Sequence, residues 1–243
     1  MPTISAVIIT YNEAANISRC LQSLTDIADE TIIVDAFSQD DTVSISNKFD
    51  VNLFQRKWDD YSSAKNFGNQ KATKDYILSI DADEALSSEL RQSLLQLKTQ
   101  PIQPEQVFQF NRRNFYCGKW IKHCGWYPDT KIRLWLNKTA HWEGIVHEKL
   151  NFSNPVKKVH LEGDLLHYTY NSVEHHKQKL QKYAKLGASK QKHSSIIKAI
   201  IHASFCFLRV YIFKLGILDG IYGFSIAKLS SYETFLKHSR TRL

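Results

Sequence analysis

The sequence predicts an α/β protein with a mainly parallel, doubly wound sheet, followed by a helical and basic C-terminal region. Strand-like and helix-like segments alternate through the first part of the chain, which is typical of parallel sheets because parallel strands need a crossover connection. The chain has 243 residues, of which 43% are hydrophobic, so it can build a large core. Polar residues directly follow three of the strand-like runs, where α/β sheets bind ligands.

The first strand and helix are predicted at the N-terminus. ISAVIIT, residues Ile4–Thr10, is a β-branched run of the kind found in buried strands. Apolar residues at spacings of three and four then predict a helix over residues 13–24, for which Asn12 is the expected N-cap. A strand followed directly by a helix is the first half of a βαβ unit.

The same alternation continues along the chain. Strand, helix, strand, helix and strand segments are predicted in that order at ETIIVDA, SQDDTVSISNKF, VNLFQ, YSSAKNFGNQKAT and YILSI.

After a proline-containing break the pattern changes. Strands are predicted at VFQFNRRNF and KIRLWLN, a helix is predicted over residues 172–191, and an apolar and basic stretch over residues 196–229 closes the fold. We therefore expect a compact core over residues 1–170 and a C-terminal helical region over residues 171–243.

Acidic residues are concentrated at the end of the YILSI strand. Asp81 and Asp83 flank one alanine in what the pattern predicts to be an extended segment, where alternate side chains share one side. Two close carboxylates repel each other, and a divalent cation such as Mg²⁺ or Mn²⁺ can bind them together with phosphate oxygens. The alternative is that the acids from Asp81 to Glu84 are solvated turn residues that cap a helix beginning near Ser87.

The four cysteines predict free thiols in a reducing compartment. Cys20, Cys117, Cys124 and Cys206 form no CxxC pair, and the N-terminal residues lack the pattern of a signal peptide. Zinc ligation by Cys117, His123 and Cys124 is an alternative, but this spacing matches no common zinc site. We therefore expect a cytoplasmic protein.

Positive charge is concentrated in the C-terminal region. Residues 171–243 contain 13 Lys and Arg against 3 Asp and Glu, whereas residues 1–170 contain 19 against 21. A basic surface suits either nucleic acid or anionic lipid. Because the sequence contains no recognised nucleic-acid motif, we expect no nucleic acid as a partner.

The apolar stretch that begins at residue 196 predicts an amphipathic helix. Four charged residues, Lys198, Arg209, Lys214 and Asp219, interrupt it, so we expect that it does not span a bilayer. Lys198, His202 and Arg209 fall on one narrow stripe of a helix, and apolar residues cover most of the remainder. Such a helix either packs on a protein surface or lies on an anionic membrane surface, where lysines between residues 177 and 192 would assist it.

Four ordered motifs resemble one enzyme family. AVIITYNEAANISRCLQSL, IIVDAFSQDDT, AKNFGNQKA and ILSIDADE look like the nucleotide-sugar domain of inverting family-two glycosyltransferases with the GT-A fold. The segments GKWIKHCGWYPDTKIRLW, HWEGIVHEKL and LLHYTY resemble more narrowly the branch that adds a hexose, often glucose, to the inner core of lipopolysaccharide or lipooligosaccharide. The resemblance covers nearly the whole chain.

This resemblance implies a set of donor-binding residues. Asp35 matches the acid that contacts the base, although Ala36 stands where many relatives have a second acid or a serine. Lys65 matches a basic position that faces the nucleotide. The loop that surrounds the nucleoside is matched by four consecutive residues, Thr10, Tyr11, Asn12 and Glu13.

The resemblance also implies catalytic and metal-binding residues. Asp81 and Asp83 match the acids that contact the ribose and the metal, and His167 matches a histidine that can complete the metal shell. Glu148 matches the acid that acts as general base, and we favour it over Glu143. From the residues alone, an exposed strand around Glu148 and a semi-buried structural His167 are the alternatives.

The function implied is that of a metal-dependent inverting glycosyltransferase. It would move a hexose from a UDP-sugar donor to a lipid-linked saccharide acceptor at the inner face of the cytoplasmic membrane. Such a displacement needs one base and one group that stabilises the leaving diphosphate. Two other hypotheses stay open: sugar transfer to polyprenyl phosphate, which needs no base, and a non-catalytic nucleotide-binding module.

Overall fold

The computed structural model describes residues 1–144, 148–186 and 196–239. The chain forms two compact units. The first unit comprises Met1–Arg112 and Thr130–His167, and the second comprises Arg113–Asp129 and Tyr168–Leu243. The division expected after residue 170 stays a prediction, and the sequence pattern contained no sign that Arg113–Asp129 groups with the C-terminal part.

Four parallel strands form one side of the sheet of the first unit. β1 (Ile4–Thr10) pairs with β2 (Glu30–Asp35) and with β4 (Tyr76–Asp81), and β2 pairs with β3 (Asn52–Gln55). These strands coincide within one or two residues with the predicted runs. The predicted α/β class with a mainly parallel sheet is confirmed.

Further strands extend this sheet and form a separate hairpin. In chain order they are β5 (Glu84–Leu86), β6 (Gln106–Tyr116), β7 (Lys119–Trp120), β8 (Asp129–Leu136), β9 (Ala140–Glu143), β10 (Lys149–Phe152) and β11 (Lys157–Tyr170). The order across the large sheet is β3, β2, β1, β4, β8, β6, β11, β5, and β7 pairs with β6. β8 is antiparallel to β4, β5 is antiparallel to β11, and β9 and β10 form the separate antiparallel pair.

Alternate residues of β1 build two apolar cores on opposite faces of the sheet. The helices of the first unit are α1 (Ile17–Ser23), α2 (Thr42–Ser46), α3 (Tyr61–Lys71) and α4 (Ser88–Lys98). Ile4, Ala6 and Ile8 pack with residues of α1 and α4, whereas Val7 and Ile9 pack with residues of α3. This alternation is the period of two that a buried strand imposes.

The prediction that Asn12 caps the first helix is wrong. α1 begins at Ile17, because residues 13–16 form a turn in which the Glu13 carbonyl accepts from the amides of Asn16 and Ile17. Asn12 has a φ of 54°, and its side chain accepts a hydrogen bond from the Gln39 amide instead. α2 is also shorter than predicted.

The described residues of the second unit form three α-helices. They are α5 (Val173–Leu186), α6 (Ile196–Leu208) and α7 (Ile221–Ser239). A π-helical turn at Arg209–Phe213 and a 3₁₀ turn at Gly216–Asp219 connect α6 to α7. α5 confirms the helix predicted over 172–191 as far as Leu186, and residues 187–191 of that prediction lie outside the described residues.

α6 and α7 form an antiparallel hairpin. The Ser231 hydroxyl donates to the Ala203 carbonyl at 2.8 Å, and the rings of His202 and His238 stack with their centroids 4.5 Å apart. Within the described residues, Ile196–Phe213 is one segment long and apolar enough to cross a membrane, with a mean hydropathy of 1.7. Length and composition alone are weak evidence for a span, so the expectation that it does not cross stays a prediction.

Candidate active site

The carboxyl ends of β1, β2 and β4 lie side by side at one edge of the sheet. Thr10 is opposite Asp35 across β1 and β2, and Ile9 is opposite Asp81 across β1 and β4. The parallel order of the strands therefore brings Thr10, Asp35 and Asp81 to one level. The prediction that three strands deliver polar groups to one edge is confirmed.

Asp81 lies between two buried cations. Its Oδ1 is 3.3 Å from Lys65 Nζ, and its Oδ2 accepts a hydrogen bond from Arg133 Nη2 at 3.2 Å. Burial raises the pKa of Asp81, but the charges of Lys65 and Arg133 together outweigh burial and hold this pKa well below its ordinary value. Asp81 is therefore an ionised carboxylate held in a fixed position.

Glu84 is buried, so its interpretation as a solvated turn residue is wrong. Only 1% of the residue is exposed. Its Oε1 accepts from Arg133 Nη2 at 2.7 Å, and its Oε2 accepts from the Asp81 amide at 3.0 Å. Burial raises the pKa of Glu84 more than the neighbouring Arg133 lowers it. The helix predicted near Ser87 is α4, and Ser87 itself is the cap, because its hydroxyl accepts from the Leu90 amide.

The acids at the end of β4 do not lie in one extended segment. The strand ends at Asp81, Ala82 and Asp83 form a turn, and β5 begins at Glu84. Asp81 and Asp83 therefore contact different partners. Because Glu84 is opposite His167 in the β5–β11 ladder, His167 lies beside Asp83, with its Nε2 3.2 Å from Asp83 Oδ2.

Asp83 and His167 could together supply two of the donor atoms of a divalent cation, if a bound ligand supplies others. They offer one carboxylate oxygen and one imidazole nitrogen, and Mn²⁺ accepts both donor types. Within the described residues, no group of three or more His, Cys, Asp or Glu side chains is arranged to hold a metal. The remaining coordination positions would therefore fall to diphosphate oxygens and water, as is common for Mg²⁺ at phosphate sites.

Glu148 is linked to Asp81 through Lys65. Lys65 Nζ lies 3.0 Å from Glu148 Oε1 and 4.6 Å from the ring centroid of Trp142. α3 positions this lysine, and its start is fixed by the Asp60 side chain, which accepts from the Ser63 amide. The Lys65 side chain is 3% exposed, so its charge is directed into the protein.

Glu143 has a different environment from Glu148. Its carboxylate lies 2.7 Å from His141 Nε2 and accepts a hydrogen bond from the Asn151 side chain. The Glu143 side chain is exposed. It contacts residues of the β9–β10 hairpin, whereas Glu148 contacts the cation that reaches the end of β4.

The loops that follow β1 and β2 are tied to each other. The Asn12 amide donates to the Ser38 hydroxyl at 2.9 Å, and the Glu13 amide donates to the Thr42 hydroxyl at 2.7 Å. Asp35 is buried and accepts from the Ser38 amide and from the Gln55 side chain.

The aromatic ring of the first loop is accessible. Tyr11 is 52% exposed, whereas Thr10 is buried beside it. Phe37 in the loop after β2 is equally exposed, so these loops combine a hydrogen-bonded backbone with two available rings.

The structure brings five of the ten predicted site residues into two contacting groups. Lys65 contacts Asp81 and Glu148, and Asp83 contacts His167. Their assigned roles stay predictions.

The sequence analysis did not predict that Arg133 belongs to the site. The available signal was a charged residue between apolar neighbours in the strand run KIRLWLN.

The sequence matches the family model described as Glycosyl transferase family 2 over residues 5–142, which is more than half of the chain. Full-length relatives are also similar. An uncharacterized glycosyltransferase of Rickettsia prowazekii is 27% identical over 100% of this chain and 87% of the relative. A second, from Rickettsia typhi, is 29% identical over 100% of this chain and 87% of the relative. The prophage-derived glycosyltransferase SunS of Bacillus subtilis is 33% identical over 63% of this chain and 36% of SunS.

Solved structures show weaker similarity. Staphylococcus aureus TarS 1–349 in complex with UDP has a TM-score of 0.47 and 15% identity, covering 86% of this chain and 72% of TarS. Glucosyl-3-phosphoglycerate synthase from Mycobacterium tuberculosis, in complex with Mn²⁺, UDP and glucosyl-3-phosphoglycerate, has a TM-score of 0.38 and 20% identity, covering 47% and 44%. The assignment of this chain to a family therefore depends on the sequence match and not on these structures.

Proposed function

The chain belongs to glycosyl transferase family 2, and from this premise we propose that it is a metal-dependent, inverting hexosyltransferase. The proposed donor is a UDP-sugar, with UDP-glucose as the expected one. The proposed acceptor is a core sugar of lipopolysaccharide. The donor loops are those that follow β1 and β2, with Thr10, Tyr11, Asn12 and Glu13 around the nucleoside and Asp35 toward the base.

One observation carries this proposal: Lys65 contacts both Asp81 at the end of β4 and Glu148 ahead of β10. A donor-binding acid and a candidate base are thus held through one buried cation. Asp83 lies in the turn that follows β4, and its Oδ2 is 3.2 Å from Nε2 of His167. This arrangement supports a donor site next to a proton acceptor.

Inverting transfer is a single in-line displacement, which these residues can serve. The acceptor hydroxyl oxygen forms a bond to the anomeric carbon as the bond from that carbon to the diphosphate oxygen breaks. The hydroxyl proton passes to the carboxylate of Glu148, which acts as general base. Lys65 holds Oε1 of this carboxylate at 3.0 Å and so orients it.

The proposed metal is Mg²⁺ or Mn²⁺, held by Asp83 and His167. When bound, it neutralises charge on the leaving diphosphate. In this chain, Asp83 would supply a carboxylate oxygen and His167 would supply a ring nitrogen to the ion. The contact between Asp83 and His167 keeps both groups in place before the donor arrives.

The acceptor and the location are supported by the downstream motifs. GKWIKHCGWYPDTKIRLW, HWEGIVHEKL and LLHYTY resemble enzymes that act on the inner core of lipopolysaccharide. That acceptor is lipid-linked, so we place the protein at the inner face of the cytoplasmic membrane as a peripheral protein.

Donor binding is tested first by calorimetry with UDP, in the presence and absence of Mn²⁺. We expect binding that depends on the metal, and we expect Asp83→Ala to remove that dependence. No binding under either condition would contradict the proposed donor site.

The base is tested by Glu148→Gln, with Glu143→Gln as a matched control. We expect Glu148→Gln to lower kcat by about 10²- to 10⁴-fold while UDP binding stays unchanged. Glu143→Gln should keep activity, because Glu143 contacts only the β9–β10 hairpin among the described contacts. If Glu148→Gln stays active on polyprenyl phosphate, that phosphate is the acceptor and the proposal is wrong.

A further inference from the structure

The turn that joins α6 to α7 exposes large apolar side chains. We call residues 213–221 the hairpin tip. Phe213 and Ile221 are 74% and 75% exposed, and three more apolar residues of the tip are at least half exposed: Leu215, Ile217 and Leu218. Contiguous exposed apolar residues mark a surface that contacts a membrane or another molecule.

An exposed apolar stripe on α6 and its π-helical turn leads to this tip. Residues at helical spacing are buried on the side that packs with α7, namely Ala199, Ala203, Cys206 and Val210. The opposite side is exposed and consists of Ile197, Ile201, Phe205, Leu208 and Ile212. α6 and its π-helical turn therefore pack through their smaller residues and direct large apolar residues outward.

The charges beside this apolar surface are positive. Lys198, Arg209 and Lys214 are exposed on α6 and at the tip. Among the described residues 196–239, the acids are Asp219, which is 2% exposed, and Glu233, which pairs with Lys237 at 2.6 Å. A second copy of this chain would bring like charges together, whereas anionic lipid headgroups complement these cations.

The tip is anchored within the second unit. The Asp219 carboxylate accepts from the His123 amide at 2.9 Å, and the Asp219 carbonyl accepts from Lys119 Nζ at 3.0 Å. The Cys124 amide donates to the Lys214 carbonyl at 2.9 Å. The one acid of the tip is therefore held internally.

The backbone of the tip is hydrogen-bonded within the turn. The amides of Lys214, Leu215, Leu218 and Gly220 donate to carbonyls of residues 209–217. Because unpaired amides are unfavourable in hydrocarbon, the pairing of these four amides favours entry of the tip into a lipid phase.

The polar end of the hairpin limits how deeply it can enter. His202 in the middle of α6 lies against His238 near the end of α7. α7 also carries Lys228, Glu233 and Lys237, so it cannot cross a bilayer beside α6. Arg209 lies close to the tip and Lys214 lies within it. Their long side chains can reach lipid phosphates only if the tip enters the leaflet to a shallow depth.

We propose that the hairpin tip inserts shallowly into an anionic membrane leaflet and does not cross it. Phe213, Leu218 and Ile221 enter the boundary between headgroups and acyl chains, and the cations Arg209 and Lys214 bind lipid phosphates. This proposal goes beyond the transfer reaction and does not depend on catalysis.

The test is flotation of the full-length protein with vesicles of phosphatidylglycerol and phosphatidylethanolamine, compared with vesicles of phosphatidylcholine. The tip variant is Phe213→Ser, Leu218→Ser, Ile221→Ser. The matched control is Leu95→Ser, Val173→Ser, which removes exposed apolar residues outside the hairpin. We expect the tip variant to bind anionic vesicles about a hundredfold more weakly and the control to bind like the wild type.

Three results would overturn the proposal. One is equal binding of the tip variant and the wild type. Another is a wild-type dimer, measured by light scattering without lipid, that the tip variant converts to a monomer, because a second copy would then cover the surface. The third is wild-type protein that resists extraction at alkaline pH, because the segment would then cross the bilayer. Thermal unfolding checks the fold of the variants, and Phe213→Ser alone serves if the triple variant is unstable.

Discussion

Two cations of the first unit and three cations of the second unit have opposite environments. In the first unit, Lys65 and Arg133 are buried and each contacts two carboxylates. In the second unit, Lys198, Arg209 and Lys214 are exposed beside apolar residues. Buried cations fix the geometry of the acids around them, whereas exposed cations keep their charge available for a ligand.

This difference predicts different responses to salt. Buried ion pairs are weakly screened, but exposed charges lose most of their long-range interaction within a Debye length of about 8 Å at physiological ionic strength. Added salt should therefore leave the cluster around Asp81 intact and weaken whatever the hairpin binds.

The largest expected effect comes from removing the cation of the buried cluster. Arg133→Leu leaves Asp81 and Glu84 without this partner, so the free energy of unfolding should fall by about 3–5 kcal/mol. Urea denaturation measures the change. Lys237→Leu, which breaks the exposed pair with Glu233, is the control and should cost less than about 1 kcal/mol. Similar losses in both variants would remove the contrast between the two environments.

The next largest effect is the contribution of ionised Asp81 to the free energy of unfolding, which depends on pH. The pKa of Asp81 is lowered in the folded state, so its ionised form stabilises the fold above the ordinary value of 3.8 and loses that contribution as the pH falls. Asp81→Asn should therefore lower the free energy of unfolding by about 2–4 kcal/mol at neutral pH. The difference from the wild type should shrink as the pH falls below about 4. A difference that grows on acidification would contradict this sign.

A smaller effect is expected at the base of the hairpin tip. In the wild type, the Asp219 carboxylate accepts a hydrogen bond from the His123 amide. Asp219→Asn can place an N–H group opposite this amide, so the free energy of unfolding should fall by about 1–3 kcal/mol. Thermal unfolding measures the loss, and Glu233→Gln on α7 is the control. Unchanged stability in Asp219→Asn would show that the tip is not anchored by this carboxylate.

The smallest effect is expected for a single exposed cation. Arg209→Gln should weaken binding to anionic vesicles by about fivefold, because one cation near a charged surface contributes about 1 kcal/mol. Its stability in urea should be unchanged, and its vesicle binding should depend less on salt. Lys48→Gln, an exposed lysine of the first unit, should bind vesicles like the wild type. Equal weakening in both variants would indicate a nonspecific charge effect.

The parallel strands were predictable because each one is a short apolar run with its polar residues at the end. β1, β2 and β4 are buried along most of their length, so burial dictates their composition. β5 was not predicted, because three residues of mixed polarity, Glu84–Leu86, carry no periodic signal.

Within the candidate site, the sequence predicted which residues lie at the strand ends better than it predicted which side chains contact each other. The placement of Asp81 and Asp35 follows from the strand order alone. The contacts of Glu84 and Glu148 do not, because Arg133 is 49 residues from Glu84 and Lys65 is 83 residues from Glu148. Pairings at such separations depend on how the strands turn and pack, which no local pattern contains.

The anchoring of Asp219 also has a consequence for the order in which the protein is made. Lys119 and Asp219 are 100 residues apart, and Tyr116, Ile121 and Cys124 share an apolar cluster with Cys206 and Ile226. At about 5–20 residues per second, the nascent segment 113–129 leaves the ribosome several seconds before these partners are synthesised. The apolar cluster of Ile121 and Cys124 stays incomplete during that interval, so truncation before α7 would make that incompleteness permanent.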